Sequence, residues 1–140
     1  MFEEELTMLA APGVSSLDEA LGGGSTGGGV RVVVLRAGCS YRQRLEAMLE
    51  RRGVTVRRQL EFGTLEAIFG CVAAGLGITL LPRALIGPVW AAGRVSIHQL
   101  PPAAARVETV FIRRRDGFSS SALHAFLASA AGKLKRVEAA

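Results

Sequence analysis

Two cysteines and two helix-opening hydroxyls are the residues of this 140-residue chain best placed to do chemistry. Cys39 stands between an apolar run and a helix, at the helix N-terminus, where a nucleophilic thiol could meet a ligand. A thiol that takes up a phosphoryl group needs an arginine whose paired donors clamp the phosphoryl oxygens, and in the phosphate-holding cysteine turns that this one resembles it stands six positions on. That position holds Leu45, and Arg42 and Arg44 miss the spacing. No His or Asp adjacent in sequence offers a base, so a small cysteine-dependent enzyme is kept as an alternative. Cys71 lies mid-helix on an apolar pattern, as a small core residue does.

Binding without covalent change would use Ser40 and Thr64. Each follows a small, open turn, Ala37-Gly38 in one case and Gly63 in the other, and each can cap a helix through its hydroxyl. Gln43, three residues after Ser40, can reach back to complete a capping box. A helix start of this kind aims backbone N–H groups at open space, a place to hold something small and often anionic. Capping alone explains both hydroxyls but not the two small turns in front of them.

Other motifs carry less. His98 reads as a surface or hydrogen-bonded strand histidine. His124 lies beside a helical stripe with no Cys, His or carboxylate partner at metal spacing, so no metal or cofactor is expected. Gly22, Gly24 and Gly27 match the dinucleotide fingerprint literally, but no strand precedes them and no helix follows. The net charge of +5 comes from cations of which fifteen in seventeen are Arg, spread along the chain. Only Arg51-Arg52, Arg57-Arg58 and Arg113-Arg114-Arg115 cluster, and no aromatic residues alternate with them as a stacking platform for single strands would require. Solvated helix ends and edge strands account for that charge, and this chain alone is not expected to bind DNA specifically.

The elements that must position the turns follow from periodicity. Val32 to Leu35 is an unbroken apolar run, a strand buried on both faces. The following helix carries Tyr41, Leu45, Met48 and Leu49 on one stripe and stops at Gly53. Val54 to Glu61 reads as a second strand. The next helix, capped by Thr64, carries Leu65, Ile68, Phe69 and Val72, with Gly70, Ala73 and Ala74 small enough for close packing on a sheet. Gly75-Leu76-Gly77 ends it, with Leu76 read equally as a flank to the ligand cleft or as a plain helix terminus, and Ile78 to Leu81 is a short buried strand closed by Pro82. Strand, turn and helix in repeated order predict a parallel sheet with helical crossovers. Around this lie a strand at Leu6 to Ala11, a helical turn at Ser16 to Leu21 and a flexible Gly-rich linker at 22–29. Beyond it come a short helix at Pro82 to Ile86, a turn holding Trp90, strands at Val95 to Leu100 and Val107 to Arg113, and a helix at Ser119 to Arg136. In that last helix Leu123, Phe126, Leu127 and Leu134 face inward.

The run EFGTLEAIFGCVAAGLGITLLPRALI, Glu61 to Ile86, resembles the co-inducer-binding region of LysR-type transcriptional regulators. There a helix ending in V-A-A-G-x-G is followed by a short apolar strand and Pro. Leu35 to Leu45 (LRAGCSYRQRL) resembles one branch of that family, Val110 to Ala125 is similar to its closing strand and helix, and LTMLAAPGV to its crossing strand. The resemblance implies an α/β, periplasmic-binding-protein-like (type 2) fold, whose effector sits in a cleft between two lobes. The expectation is a partial effector-binding domain, a mostly parallel sheet with flanking helices and an incomplete first lobe. About 30–100 form the second lobe, and 1–14 with 106–140 the crossing strands and last helix of the first.

By position, Gly38, Cys39, Ser40, Tyr41, Gly63, Thr64 and Leu65 are the effector-facing wall, with Ser40 and Thr64 as donors. The expected partner is a small-molecule effector, a small anion among the candidates. DNA would be reached only through a helix-turn-helix domain absent from this chain. With the first lobe incomplete, the Leu6 to Ala11 strand and the Leu123 to Leu134 stripe are expected to lose their cover, which favours a homodimer or higher oligomer. Glu3-Glu4-Glu5 after Met1 is the wrong charge for a secretory leader, and no apolar run approaches the roughly 18 residues of a membrane span. Those features predict a cytoplasmic protein with free thiols. A stand-alone solute-binding module is the other alternative.

Overall fold

Val32, Val33 and Val34 are buried at the centre of β2 (Val30–Leu35), and they organise the larger part of the molecule. The computed structural model describes residues 2–22, 29–87, 93–110 and 116–137. They fall into two compact units, Glu4–Val107 and a smaller one of Met1–Glu3 with Glu108–Ala140.

In the larger unit β2 leads into α2 (Ser40–Arg51), β3 (Val56–Phe62), α3 (Leu65–Ala73) and β4 (Thr79–Pro82). β2 and β3 pair in parallel, with Leu35 opposite Phe62. Ile78 joins the other edge of β2 in parallel, donating its N–H to the Arg31 carbonyl at 2.9 Å and accepting from Val33 N–H at 2.8 Å. This is the strand–helix alternation the sequence announces. Because β2 is covered on both faces, its side chains divide between two layers. Val32 and Val34 pack with Leu45, Met48 and Leu49 of α2, while Val33 packs with Ile68, Phe69 and Val72 of α3. Each such aliphatic side chain contributes roughly 1.5–3 kcal/mol by leaving water.

A second sheet is built around β1 (Phe2–Ala10), which runs antiparallel to β4, Leu6 opposite Pro82, and to β5 (Ser96–Gln99), Thr7 opposite Gln99. β6 (Arg106–Thr109) also pairs with β1. The segment from Ile78 to Pro82 thus passes from the parallel sheet to the antiparallel one. Leu6, Thr7, Met8, Leu9 and Ala10 are all buried. The expectation that this strand is left uncovered is therefore corrected: β4 and β5 flank it on both edges. Thr7, the polar member, is satisfied by donating its hydroxyl to the His98 carbonyl at 2.9 Å.

Smaller elements complete the unit. α1 (Leu17–Ala20) is a single turn capped by Ser16, whose hydroxyl accepts from Glu19 N–H at 3.1 Å. A 3-10 turn occupies Arg83–Leu85, and α4 (Pro102–Ala105) precedes β6. In β5, Ile97 and Gln99 are exposed while Ser96 and His98 are partly covered. Ser96 gives its hydroxyl hydrogen to the Ala11 carbonyl at 2.9 Å, so the 2.9 Å contact with His98 Nε2 requires the imidazole to donate. Burial pushes the His98 imidazole below its ordinary pKa, against an opposing pull from Glu19.

The smaller unit holds α5 (Ser121–Val137). Its predicted inward stripe is only half realised, with Leu123 and Leu127 half-buried and Phe126 54% exposed. The side chain of Leu134, most of the Gly-rich linker, Trp90 and Arg113 to Arg115 lie outside the described residues. Among the described residues no helix is long and apolar enough to cross a membrane.

Candidate functional site

Parallel strands in register end together, so the segments that leave them stand side by side. β2 ends at Leu35 and β3 at Phe62, and the two following turns are therefore neighbours. The first is closed by Cys39 N–H donating to the Arg36 carbonyl at 3.3 Å. Gly38 sits at its third position with φ +95°, a conformation that a side chain would strain. Because this turn consumes the chain as far as Cys39, the last extended residue before α2 is Cys39 and not Ser40. Cys39 has φ −73° and ψ 125° and makes no side-chain cap, while its carbonyl accepts from Gln43 N–H at 3.3 Å. The predicted Ser40 cap and its capping box with Gln43 are thus corrected: Ser40 is the first helical residue. A thiol is too weak an acceptor to replace the hydroxyl.

The second turn follows the prediction. Thr64 is extended and its hydroxyl oxygen accepts from Ala67 N–H at 3.3 Å, with Glu66 in the first turn of α3.

Between the turns lies a solvent-open cleft of about 380 Å³, lined by Leu35, Arg36, Cys39, Phe62, Gly63 and Thr64. Of the seven predicted residues, Cys39, Gly63 and Thr64 line it. Ser40 lines a different depression of about 320 Å³, shared with Arg44, Arg51, Leu80 and Ala104. Gly38, Tyr41 and Leu65 line neither. Tyr41 turns away toward β1, donating its hydroxyl to the Glu4 carboxylate at 3.3 Å; burial and that carboxylate hold the phenol above its ordinary pKa. Leu65 packs with the apolar layer of α3. Leu76 does not flank the cleft. Its turn is tied to the start of β2, where Arg31 Nη2 donates to the Gly75 carbonyl at 2.9 Å.

Leu35, Arg36 and Phe62 were not predicted. The signal was nevertheless present, because each is a strand end or the first residue beyond one, where open α/β sheets bind ligands. The Arg36 guanidinium lies across Gly63, with its nitrogen and carbon atoms 3.2–3.4 Å from where a Cβ of residue 63 would stand. In the first turn of α2, Arg42 donates to Glu46 at 2.9 Å and to Glu61 at 2.6 Å, fastening α2 to the end of β3. Two apolar walls, a hydroxyl, a thiol and a guanidinium suit the recognition of a small polar molecule. Among the described residues no group of three His, Cys, Asp or Glu is placed to hold a metal ion.

The sequence matches the family model of the LysR substrate binding domain over residues 1–135. It is 44% identical over 128 residues to the uncharacterized HTH-type transcriptional regulator YusT of Bacillus subtilis (strain 168), covering 91% of this chain and 41% of that protein. The fold is similar to the effector binding domain of QuiR in complex with shikimate, with a TM-score of 0.65 and 14% identity over 96% of this chain and 63% of that one. It is also similar to the regulatory domain of Synechocystis PCC6803 CcmR in complex with 2-PG, with a TM-score of 0.64, 21% identity and coverage of 96% and 64%. The chain spans between about a third and two fifths of the length of the curated relatives it matches.

Proposed function

The chain belongs to the LysR substrate-binding-domain family, and on that premise we propose that it senses a small-molecule effector for a DNA-bound regulator. One wall of the effector site is formed by Leu35, Arg36, Cys39, Phe62, Gly63 and Thr64. Gly38 shapes the turn that delivers Cys39 to that wall, Tyr41 and Leu65 anchor the two helices that follow the turns, and Ser40 opens the first of those helices. The observation that supports this most is the meeting of the two turns at the carboxyl ends of β2 and β3 around the 380 Å³ cleft.

The proposed chemistry is reversible binding, without catalysis or cofactor. Cys39 then contributes a soft, half-buried lining surface. As an N-cap it makes no capping hydrogen bond through its side chain, and among the described residues no histidine lines the cleft with it. DNA contact belongs in this reading to a helix-turn-helix domain of the full-length regulator, which works in the cytoplasm as a homodimer or higher oligomer.

A library of small organic acids, sugars and amides, titrated into the isotope-labelled chain, tests the assignment. Ligands should move the backbone amide resonances of Cys39, Gly63 and Thr64 together. A library member that binds while moving only the Ser40–Arg51 face of α2, or only residues distant from both turns, would displace the site.

A further inference from the structure

Among the described residues the cleft holds one cationic side chain, Arg36, and the arrangement of charges around it leaves that side chain available. Arg42 is committed to Glu46 and Glu61, Arg83 approaches Glu5 at 3.9 Å, and Arg31 donates to the Gly75 carbonyl. Glu61, two residues before Gly63, is the acid at this end of β3, and Arg42 holds it at 2.6 Å. The Arg36 guanidinium therefore has no acceptor among the described residues. It is nevertheless directed. It spans the gap from the end of β2 to the turn after β3 and lies on the bare backbone of Gly63. A side chain at position 63 would press on it, so glycine keeps that berth open.

Resting on the effector-site reading above, we propose that Arg36 selects for effectors bearing a carboxylate. A guanidinium offers paired, parallel donors that match the two oxygens of a carboxylate, and desolvation by the apolar neighbours strengthens the pair. Leu35 and Phe62 supply those neighbours. Thr64 adds a directional donor. Its hydroxyl oxygen already accepts from Ala67 N–H, which leaves the hydroxyl hydrogen to reach the same ligand. An uncharged ligand of equal size would leave the guanidinium poorly matched on a partly desolvated surface, so the cleft discriminates by charge as well as by shape.

The test uses malonate and its neutral diamide, malonamide, titrated into the whole chain at matched ionic strength with amide resonances as the readout. Malonate should move Cys39, Gly63 and Thr64 while malonamide leaves them still. Arg36→Gln should weaken malonate binding about tenfold or more, the loss expected of a charge-assisted pair. Arg36→Lys, which keeps the charge and loses the paired geometry, should fall between. Arg36 is exposed, so both variants should keep the dispersed spectrum of the parent. If malonamide binds as well as malonate at the same amides, or Arg36→Gln leaves malonate binding unchanged, selection by Arg36 is refuted while the cleft stands. If neither probe moves those amides but both move the Ser40–Arg51 face, the site and the selection fall together.

Discussion

Ser40 and Thr64 look alike in the sequence, each a hydroxyl ahead of an apolar helix, yet only one is a cap. The difference is one residue of turn. Gly38 takes a left-handed conformation and closes a turn on Cys39, so the helix begins one residue beyond the position where Ser40 would cap it. No propensity scale reads that displacement, because it depends on how the preceding strand delivers the chain. The energetic consequence is asymmetric. Thr64→Ala removes an acceptor for Ala67 N–H and should cost about 1 kcal/mol, lowering the melting temperature by roughly 4 °C. Ser40→Ala removes no cap from an exposed first-turn position and should stay within about 0.5 kcal/mol of the parent. Thermal unfolding of the two variants side by side checks both values. An equal loss would mean that Ser40 caps α2 in solution. Arg36 is illegible for the converse reason: nothing in its own neighbourhood of sequence says that Gly63 lies under it.

Among elements, the stretch from α3 to β4 was the most legible, and the structure supplies the reason. Gly75, with φ +73°, lets Leu76 N–H return to the Cys71 carbonyl at 3.0 Å and its own N–H to the Val72 carbonyl at 2.9 Å, a double closure of the helix end. Gly77 then passes so near β2 that a Cβ there would stand 2.7 Å from the Arg31 carbonyl oxygen. One glycine turns the chain and the other admits close backbone approach, which is why Gly-Leu-Gly precedes Ile78. Gly77→Ala should therefore destabilise by roughly 1–3 kcal/mol, since rigid backbone must move. Gly70 makes the control. Read in the sequence as a packing position, it is exposed, with nothing within 4 Å of an added Cβ. Gly70→Ala should stabilise α3 by roughly 0.5–1 kcal/mol. Chemical denaturation distinguishes these opposite signs, and a neutral Gly77→Ala would contradict the packing argument. The antiparallel sheet was not legible in the same way. Strand–helix alternation reports pairing between successive strands, whereas β1 meets β4 and β5 across some seventy to ninety positions of sequence.

At the scale of the molecule, hydrophobic pattern fixed which residues are apolar but not which are covered. The pattern alone leaves β1 bare, whereas it is buried from Leu6 to Ala10. Among the described residues the most exposed large apolar ones lie in the smaller unit, where Val110 is 49%, Phe126 54% and Phe118 92% exposed. Residues of this size, gathered within a segment of this length, favour burial against another chain. Association should therefore run through the Glu108–Ala140 unit. Light scattering across micromolar concentrations should show a mass above 14.7 kDa that rises with concentration. Replacing Phe118 and Phe126 together with serine should shift the population toward monomer without altering the melting of the Glu4–Val107 core. Charged substitution on β3, whose outer positions already carry Arg57 and Arg58, should leave the association as it is, because those charges guard a strand edge. A chain that stays monomeric at every concentration would refute the prediction. Association that survives the double serine variant but yields to changes on β3 would move the interface to the sheet edge.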